Sequence, residues 1–130
     1  MNSSVSEKII EDILTADKSI LSEVLALNPS DLSLIARQKI VSSGKLDMLY
    51  LHKDEILLIE LKIVPFYKEV ITQINNYEMD LLVLQKQNKL IKSNIRKIVV
   101  VTEAKENDYL LCEEHKINIT VYRAPLKIEF

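Results

Sequence analysis

Apolar residues near the N-terminus recur at intervals of three and four, the spacing of one face of a helix. This pattern predicts helix over Ser6–Leu27, with Ser6 as the capping residue and a break near Ala16–Asp17 that divides the region into two helices. The turn sequence Asn28–Asp31 contains a proline and ends the helical region.

The next segment predicts three consecutive strands, at Leu34–Val41, Lys45–Leu51 and Ile56–Ile63. Polar turn residues at positions 42–44 and 52–55 separate them. The third strand is apolar almost throughout, which is typical of a central strand buried on both faces.

The second half predicts a long helix, a short strand, a short helix and a last core strand, at Tyr67–Gln87, Ile98–Val101, Asn107–His115 and Ile117–Tyr122. A small edge strand is expected at Leu126–Phe130. The order α-β-β-β-α-β-α-β predicts an α/β fold, a mixed central β-sheet flanked by helices. We expect a single domain over residues 1–130.

Composition narrows the possible functions. The 130 residues are 48% hydrophobic and 28% charged, which is typical of a globular domain. Cys112 is the only cysteine, so an intrachain disulfide or a cysteine-ligated metal is excluded, and we expect a cytoplasmic protein without a signal peptide or membrane span. His52 and His115 are interpreted as surface or capping residues. Because the net charge is −2, any basic surface for nucleic acid must be local.

The clearest motif is Gly44-Lys45-Leu46-Asp47, followed after twelve residues by Glu60-Leu61-Lys62. Glu60 and Lys62 are two apart, so they share one face of their strand, and a hairpin can bring Asp47 to them. Charges within an apolar run are costly unless they are paired or bind a metal. A structural ion pair is the alternative, but the convergence of three ionisable groups favours a site.

These groups suit phosphodiester hydrolysis. Two carboxylates bind a hard cation such as Mg²⁺ through oxygen. The metal neutralises the phosphodiester and acidifies a water molecule, and Lys62 can orient that water or stabilise the developing charge.

Two helices offer further polar residues. Gln73 and Tyr77 are four apart, so both can point at the end of the sheet, although such a pair is also compatible with a solvated face. On the first helix, Glu7 and Glu11 are likewise four apart, and either could supply another carboxylate. We favour Glu11, which lies among apolar residues, over a purely solvated acidic turn. Basic residues, among them Arg37, Lys45 and the cluster Lys86–Lys97, are candidates for phosphate contacts.

Taken together, the motifs resemble the PD-(D/E)XK nuclease superfamily, and within it the catalytic domain of NucS/EndoMS-type (RecB-like) endonucleases. That domain carries Gly-(Arg/Lys)-Ile-Asp, Glu-Leu-Lys and Gln-x-x-x-Tyr motifs. They are similar to Gly44–Asp47, Glu60–Lys62 and Gln73–Tyr77, with ten residues between the last two. The resemblance covers about residues 6–122.

The resemblance implies a restriction-endonuclease-like fold and a DNA endonuclease that uses Mg²⁺ or Mn²⁺. The family favours branched, mismatched or single-stranded DNA, but this preference does not carry over to a chain that departs from the family after Lys62 and is expected to lack its N-terminal domain. The resemblance also implies metal ligation by Asp47, Glu60, Glu11 and the backbone carbonyl of Leu61. Lys62 would be the catalytic lysine, with Gln73 and Tyr77 as supporting groups.

NucS-type enzymes also have an N-terminal β-rich domain, which this chain is expected to lack, so we expect a homodimer on DNA. Two alternatives stay open: a nuclease-fold binding module that does not cut, and a subunit active only within a larger complex of a mobile element or defence system. The intact set Asp47, Glu60 and Lys62 favours the enzyme.

Overall fold

A computed structural model describes residues 3–122 of the protein. Its helices are α1 (Ser3–Ala16), α2 (Lys18–Leu25), α3 (Glu69–Lys86) and α4 (Glu106–Glu114). Its strands are β1 (Leu32–Val41), β2 (Gly44–His52), β3 (Glu55–Leu61), β4 (Asn94–Val101) and β5 (Ile117–Val121). The edge strand expected at Leu126–Phe130 lies outside the described residues.

The strands form one mixed sheet in the order β1-β2-β3-β4-β5. The first three strands are joined by hairpins and pair antiparallel, whereas β4 and β5 pair parallel to their neighbours because each follows a helical crossover. The predicted element order and mixed sheet are therefore confirmed, and the apolar strand β3 is central as expected.

Helices cover both faces of the sheet, because the apolar residues of its central strands alternate between two cores. On one face Leu58 and Val99 pack with the apolar side of α3 and with Cys112 of α4. On the other face Ile59 and Val100 pack with residues of α1 and α2. Within residues 3–122, no helix combines the length and apolar character required to cross a lipid bilayer.

The break predicted between the first two helices is confirmed. Asp17 has an extended backbone, and its carboxylate accepts a hydrogen bond from the backbone N–H of Ser19, which caps α2. Helix α2 ends where Ala26 adopts the left-handed conformation, with φ of 56°. The break lets α1 and α2 both lie on the same face of the sheet, and α1 thereby brings its acidic residues to the ends of β2 and β3.

Strand β4 begins at Asn94, four residues before the predicted start. The sequence pattern did not indicate the first half of this strand, because its side chains there are mostly polar. Lys97, a candidate for phosphate contact, is wrongly placed in that set, since only 7% of it is exposed. Its ammonium donates to Asn75 Oδ1 at 2.8 Å and to the His115 carbonyl at 2.9 Å, and lies 3.3 Å from Glu78 Oε1. Lys97 therefore joins α3 to β4 and is not available to DNA.

Candidate active site

The backbone pairing of β2 with β3 ends at Met48 and Ile59. Beyond that pair, the carboxylates of Asp47 and Glu60 accept the backbone hydrogen bonds. Asp47 Oδ2 accepts the backbone N–H of Leu61 at 2.8 Å. In return, Glu60 Oε1 accepts the backbone N–H of Asp47 at 3.1 Å. Each carboxylate thus satisfies a backbone donor of the opposite strand, which would otherwise be unpaired inside the protein. This reciprocal exchange holds the two carboxyl groups side by side at one end of the sheet.

Lys62 follows directly after β3 and brings a positive charge to the same place. Its Nζ lies 3.9 Å from Glu60 Oε2. Partial burial opposes its charge, but the negative charges of Glu60 and Asp47 prevail, with a contribution from Tyr67, so the pKa of Lys62 is raised overall. Lys62 is therefore an ammonium ion at neutral pH and acts through its charge and N–H groups.

The two carboxyl groups carry more negative charge than Lys62 can balance. Burial, together with the neighbouring charge of Asp47, raises the pKa of Glu60 to about 8. Burial also raises the pKa of Asp47, and the carboxylates of Glu11 and Glu7 add to the effect. Glu60 is therefore mostly protonated at neutral pH, and a further cation at the site would favour its ionised form.

Helix α1 places a third carboxylate beside this pair, and Glu11 is only 3% exposed. Arg37 binds Glu11 Oε2, with Nη2 at 2.7 Å and Nε at 2.9 Å, while Gln38 Nε2 donates to the other oxygen. The same Gln38 nitrogen lies 3.4 Å from Asp47 Oδ1. The guanidinium of Arg37 also contacts Asp12, so this predicted phosphate-binding residue is held by two carboxylates of α1.

A cleft of ≈ 490 Å³ opens over this cluster. It is lined by Glu7, Lys8, Glu11, Gln38, Lys45, Asp47 and Leu61. Glu60 lies behind them, 1% exposed. The cleft therefore combines carboxylates that can bind a cation with two lysines, at positions 8 and 45, that can contact phosphate. Neither Gln38 nor Lys8 was a candidate from the sequence, because neither belongs to a motif and only the tertiary fold brings them to Asp47.

Gln73 and Tyr77 lie on α3, next to the turn between β1 and β2. The Tyr77 hydroxyl donates to the backbone carbonyl of Lys45 at 3.0 Å and accepts from Gln73 Nε2 at 3.2 Å. Burial, with the charges of Glu60 and Asp47, raises the pKa of Tyr77, so the hydroxyl stays protonated and keeps donating. Both residues thus support the strand that carries Asp47, rather than touching its carboxylate.

Gly44 makes this support possible. Its φ of +148° disfavours any side chain, and a Cβ there would lie 3.1 Å from the Tyr77 hydroxyl oxygen. We therefore expect Gly44→Ala to lower the free energy of unfolding by roughly 1–3 kcal/mol. Urea denaturation measures this, with Ser43→Ala as the control. The loss should shrink in a Tyr77→Phe background, and an equal loss in both backgrounds would show that the hydroxyl contact plays no part.

The donor set fits a divalent metal ion, although it is not preassembled. Within the described part of the chain, no group of three or more His, Cys, Asp or Glu side chains is arranged so that it could hold a metal ion. However, among the residues that the structure describes, Asp47 Oδ1 receives only the long contact from Gln38, and Glu60 Oε2 only the distant ammonium of Lys62. Each carboxyl group thus keeps one oxygen for a cation, and oxygen donors suit Mg²⁺ or Mn²⁺.

Solved structures with a similar fold were found for this chain, whereas sequence comparisons found no match. No protein-family model matches the sequence, and no curated protein sequence matches it either. Among solved structures, a repair endonuclease from Pyrococcus abyssi superposes with a TM-score of 0.68 at 20% identity. EndoMS in the EndoMS–dsDNA2 complex superposes with a TM-score of 0.58, and EndoMS in its apo form with 0.55, both at 18% identity.

The chain has the fold of the EndoMS-type repair endonucleases. The superposition covers 96% of this chain with the P. abyssi enzyme and 84% with either EndoMS structure. It covers only 49% of the P. abyssi chain, 45% of EndoMS in the DNA complex and 47% of apo EndoMS, so this chain spans about half the length of the structures it matches. The nuclease fold that the motifs predicted is thereby confirmed.

Proposed function

We propose that the chain is a metal-dependent DNA endonuclease that hydrolyses phosphodiester bonds. The observation that carries the proposal is the convergence of Asp47, Glu60 and Lys62 at the end of β3. The two carboxyl groups exchange backbone hydrogen bonds across the strands, and the lysine ammonium lies 3.9 Å from Glu60. The fold shared with repair endonucleases supports the same conclusion.

In this proposal, Asp47, Glu60, Glu11 and the carbonyl of Leu61 hold Mg²⁺ or Mn²⁺. When bound, the metal supplies charge neutralisation at the phosphate and acidifies a water molecule. Leu61 and the carboxylates at positions 11 and 47 line the cleft, which supports their assignment, whereas Glu60 would bind from behind it.

The side chains around the metal divide the remaining tasks. The ammonium of Lys62 stabilises negative charge that develops on the phosphate during attack. Lys8 and Lys45 at the cleft contact neighbouring phosphates and position the strand. Gln73 and Tyr77 keep the backbone of Lys45 in place, and with it the start of the strand that carries Asp47.

DNA is the proposed substrate, and a homodimer is the proposed active form. The EndoMS–dsDNA2 complex supports DNA as the partner, because a protein of this fold binds duplex DNA there. Strand β1 lies at the edge of the sheet and carries three exposed apolar residues, Leu34, Ile35 and Ile40, the last of them 81% exposed. Such apolar exposure is compatible with pairing of two copies.

The test is cleavage of labelled single-stranded, duplex, flapped, mismatched and four-way-junction DNA. We expect at least one substrate to be cut in Mg²⁺ or Mn²⁺ and none in EDTA. Asp47→Asn should abolish cutting, whereas Lys53→Ala, in the exposed β2–β3 turn at the opposite end of these strands, should not. Binding of DNA by the folded wild type without cleavage would contradict the proposal and support the binding module instead.

A further inference from the structure

Two consecutive residues of β1 bind the same carboxylate, which regular strand geometry does not allow. Side chains of successive strand residues point to opposite faces of a sheet. Yet Arg37 binds one oxygen of Glu11 and Gln38 binds the other. The backbone between these residues must therefore depart from the extended conformation.

That departure lies at Gln38, whose φ is +50° in the middle of β1. The left-handed region costs a residue other than glycine roughly 1–2 kcal/mol. Strained backbone of this kind persists only where surrounding contacts enforce it, and it is concentrated at functional sites. Here the turn of the backbone directs the Gln38 amide into the cleft, between Glu11 and Asp47.

We propose that Gln38 is a positioning residue that sets the spacing of Glu11 and Asp47 for the metal. The proposal rests on the metal-dependent function proposed above. An amide NH₂ has two donors and no net charge, so it can bind both carboxylates and still leave them negative. An ammonium at this position would neutralise them and compete with the metal. A hydrocarbon would leave two like charges free to separate.

The metal affinity of the protein alone tests this role. We expect Gln38→Met and Gln38→Gly to weaken Mn²⁺ binding about tenfold, as measured by calorimetry without nucleic acid. Gln87→Met, which changes an exposed glutamine at the end of α3, is the matched control and should bind as wild type does.

Gln38→Gly separates positioning from a structural role. Glycine adopts positive φ at little cost, so this variant should unfold at a urea concentration no lower than wild type in the absence of metal. Its Mn²⁺ affinity should nevertheless fall, and saturating Mn²⁺ should restore most of the cleavage rate. If Gln38 had a purely structural role, its replacement would lower the stability and the metal affinity of the protein together, and excess metal would not restore the cleavage rate.

Each outcome decides the matter. Unchanged Mn²⁺ affinity in both Gln38 variants, or tighter binding, would overturn the positioning role, and tighter binding would show that the amide competes with the metal. Absence of Mn²⁺ binding by wild type would overturn the proposed function, and this inference with it. Binding by wild type that is lost in Asp47→Asn would uphold the function whatever the Gln38 variants show.

Discussion

Replacement of Lys62 by alanine should reduce the rate of DNA cleavage by roughly 10²–10³-fold, the usual effect of removing one donor that stabilises transition-state charge. The ammonium near Glu60 is held charged by the carboxylates, so it is available at neutral pH. Single-turnover cleavage at saturating Mn²⁺ measures the effect on the chemical step, on whichever substrate the wild type cuts.

Metal binding separates this loss from a collapse of the site. Lys62 repels a cation, so its removal should leave Mn²⁺ affinity equal to that of wild type or tighter. Lys53→Ala again serves as the lysine control, with an unchanged rate expected. A Lys62→Ala variant that cuts at the wild-type rate would remove Lys62 from the mechanism, and weaker metal binding would indicate a structural role.

Replacement of Glu60 by glutamine should have opposite effects on stability and metal binding. In the metal-free protein, Glu60 is buried beside Asp47, and its ionised form is unfavourable. The amide of glutamine keeps an oxygen for the N–H of Asp47 but carries no charge. We therefore expect metal-free Glu60→Gln to be more stable than wild type by roughly 2 kcal/mol at pH 8.

The pH dependence follows from the raised pKa of Glu60. The ordinary value of 4.5 applies to the unfolded chain, whereas the folded chain releases this proton only near pH 8. The folded state therefore binds more protons between these values, so the stability that this group contributes is present below pH 4.5 and lost as the pH rises to about 8. The advantage of Glu60→Gln should accordingly grow over this range and vanish at its acidic end.

Saturating Mg²⁺ should reverse the order of the two proteins at pH 8. The metal stabilises only a chain that binds it, so the Tm of wild type should rise while that of Glu60→Gln stays almost unchanged. Thermal unfolding with and without Mg²⁺ measures both effects. If glutamine destabilises the metal-free protein at every pH, the carboxyl group of Glu60 has a structural role that outweighs its charge.

Element order and the core motif could be predicted from the sequence because both depend on local patterns. Apolar periodicity marks the helices and strands, and the two-residue spacing of Glu60 and Lys62 marks a shared face. The start of β4 could not be predicted, because Arg96 and Lys97 look like solvated residues. Their partners, Glu55 for the first and Asn75 and Glu78 for the second, come from other elements.

Gln38 shows the same limit within the site. Nothing in its local sequence distinguishes it from an ordinary polar strand residue, and its role depends on a positive φ and on Glu11, which lies 27 residues earlier in the chain. The choice of Glu11 over Glu7 used the apolar neighbours of Glu11, and Glu11 is indeed buried. Glu7 lines the same cleft, so the apolar neighbours of Glu11 predicted its burial but did not exclude Glu7 from the site.

The hydrogen bonds that Asp47 and Glu60 exchange across β2 and β3 affect how related sequences should be interpreted. Each carboxyl group stabilises the sheet by accepting a backbone N–H, whether or not the protein cuts DNA. A copy that has lost cleavage would still need an oxygen acceptor at both positions, so it would keep each acid or replace it by its amide. Lys62 has no such task, since within the described residues its ammonium pairs with Glu60 and donates no hydrogen bond to the backbone. In a divergent relative, loss of the lysine or replacement of an acid by its amide is therefore the change that signals a lost nuclease.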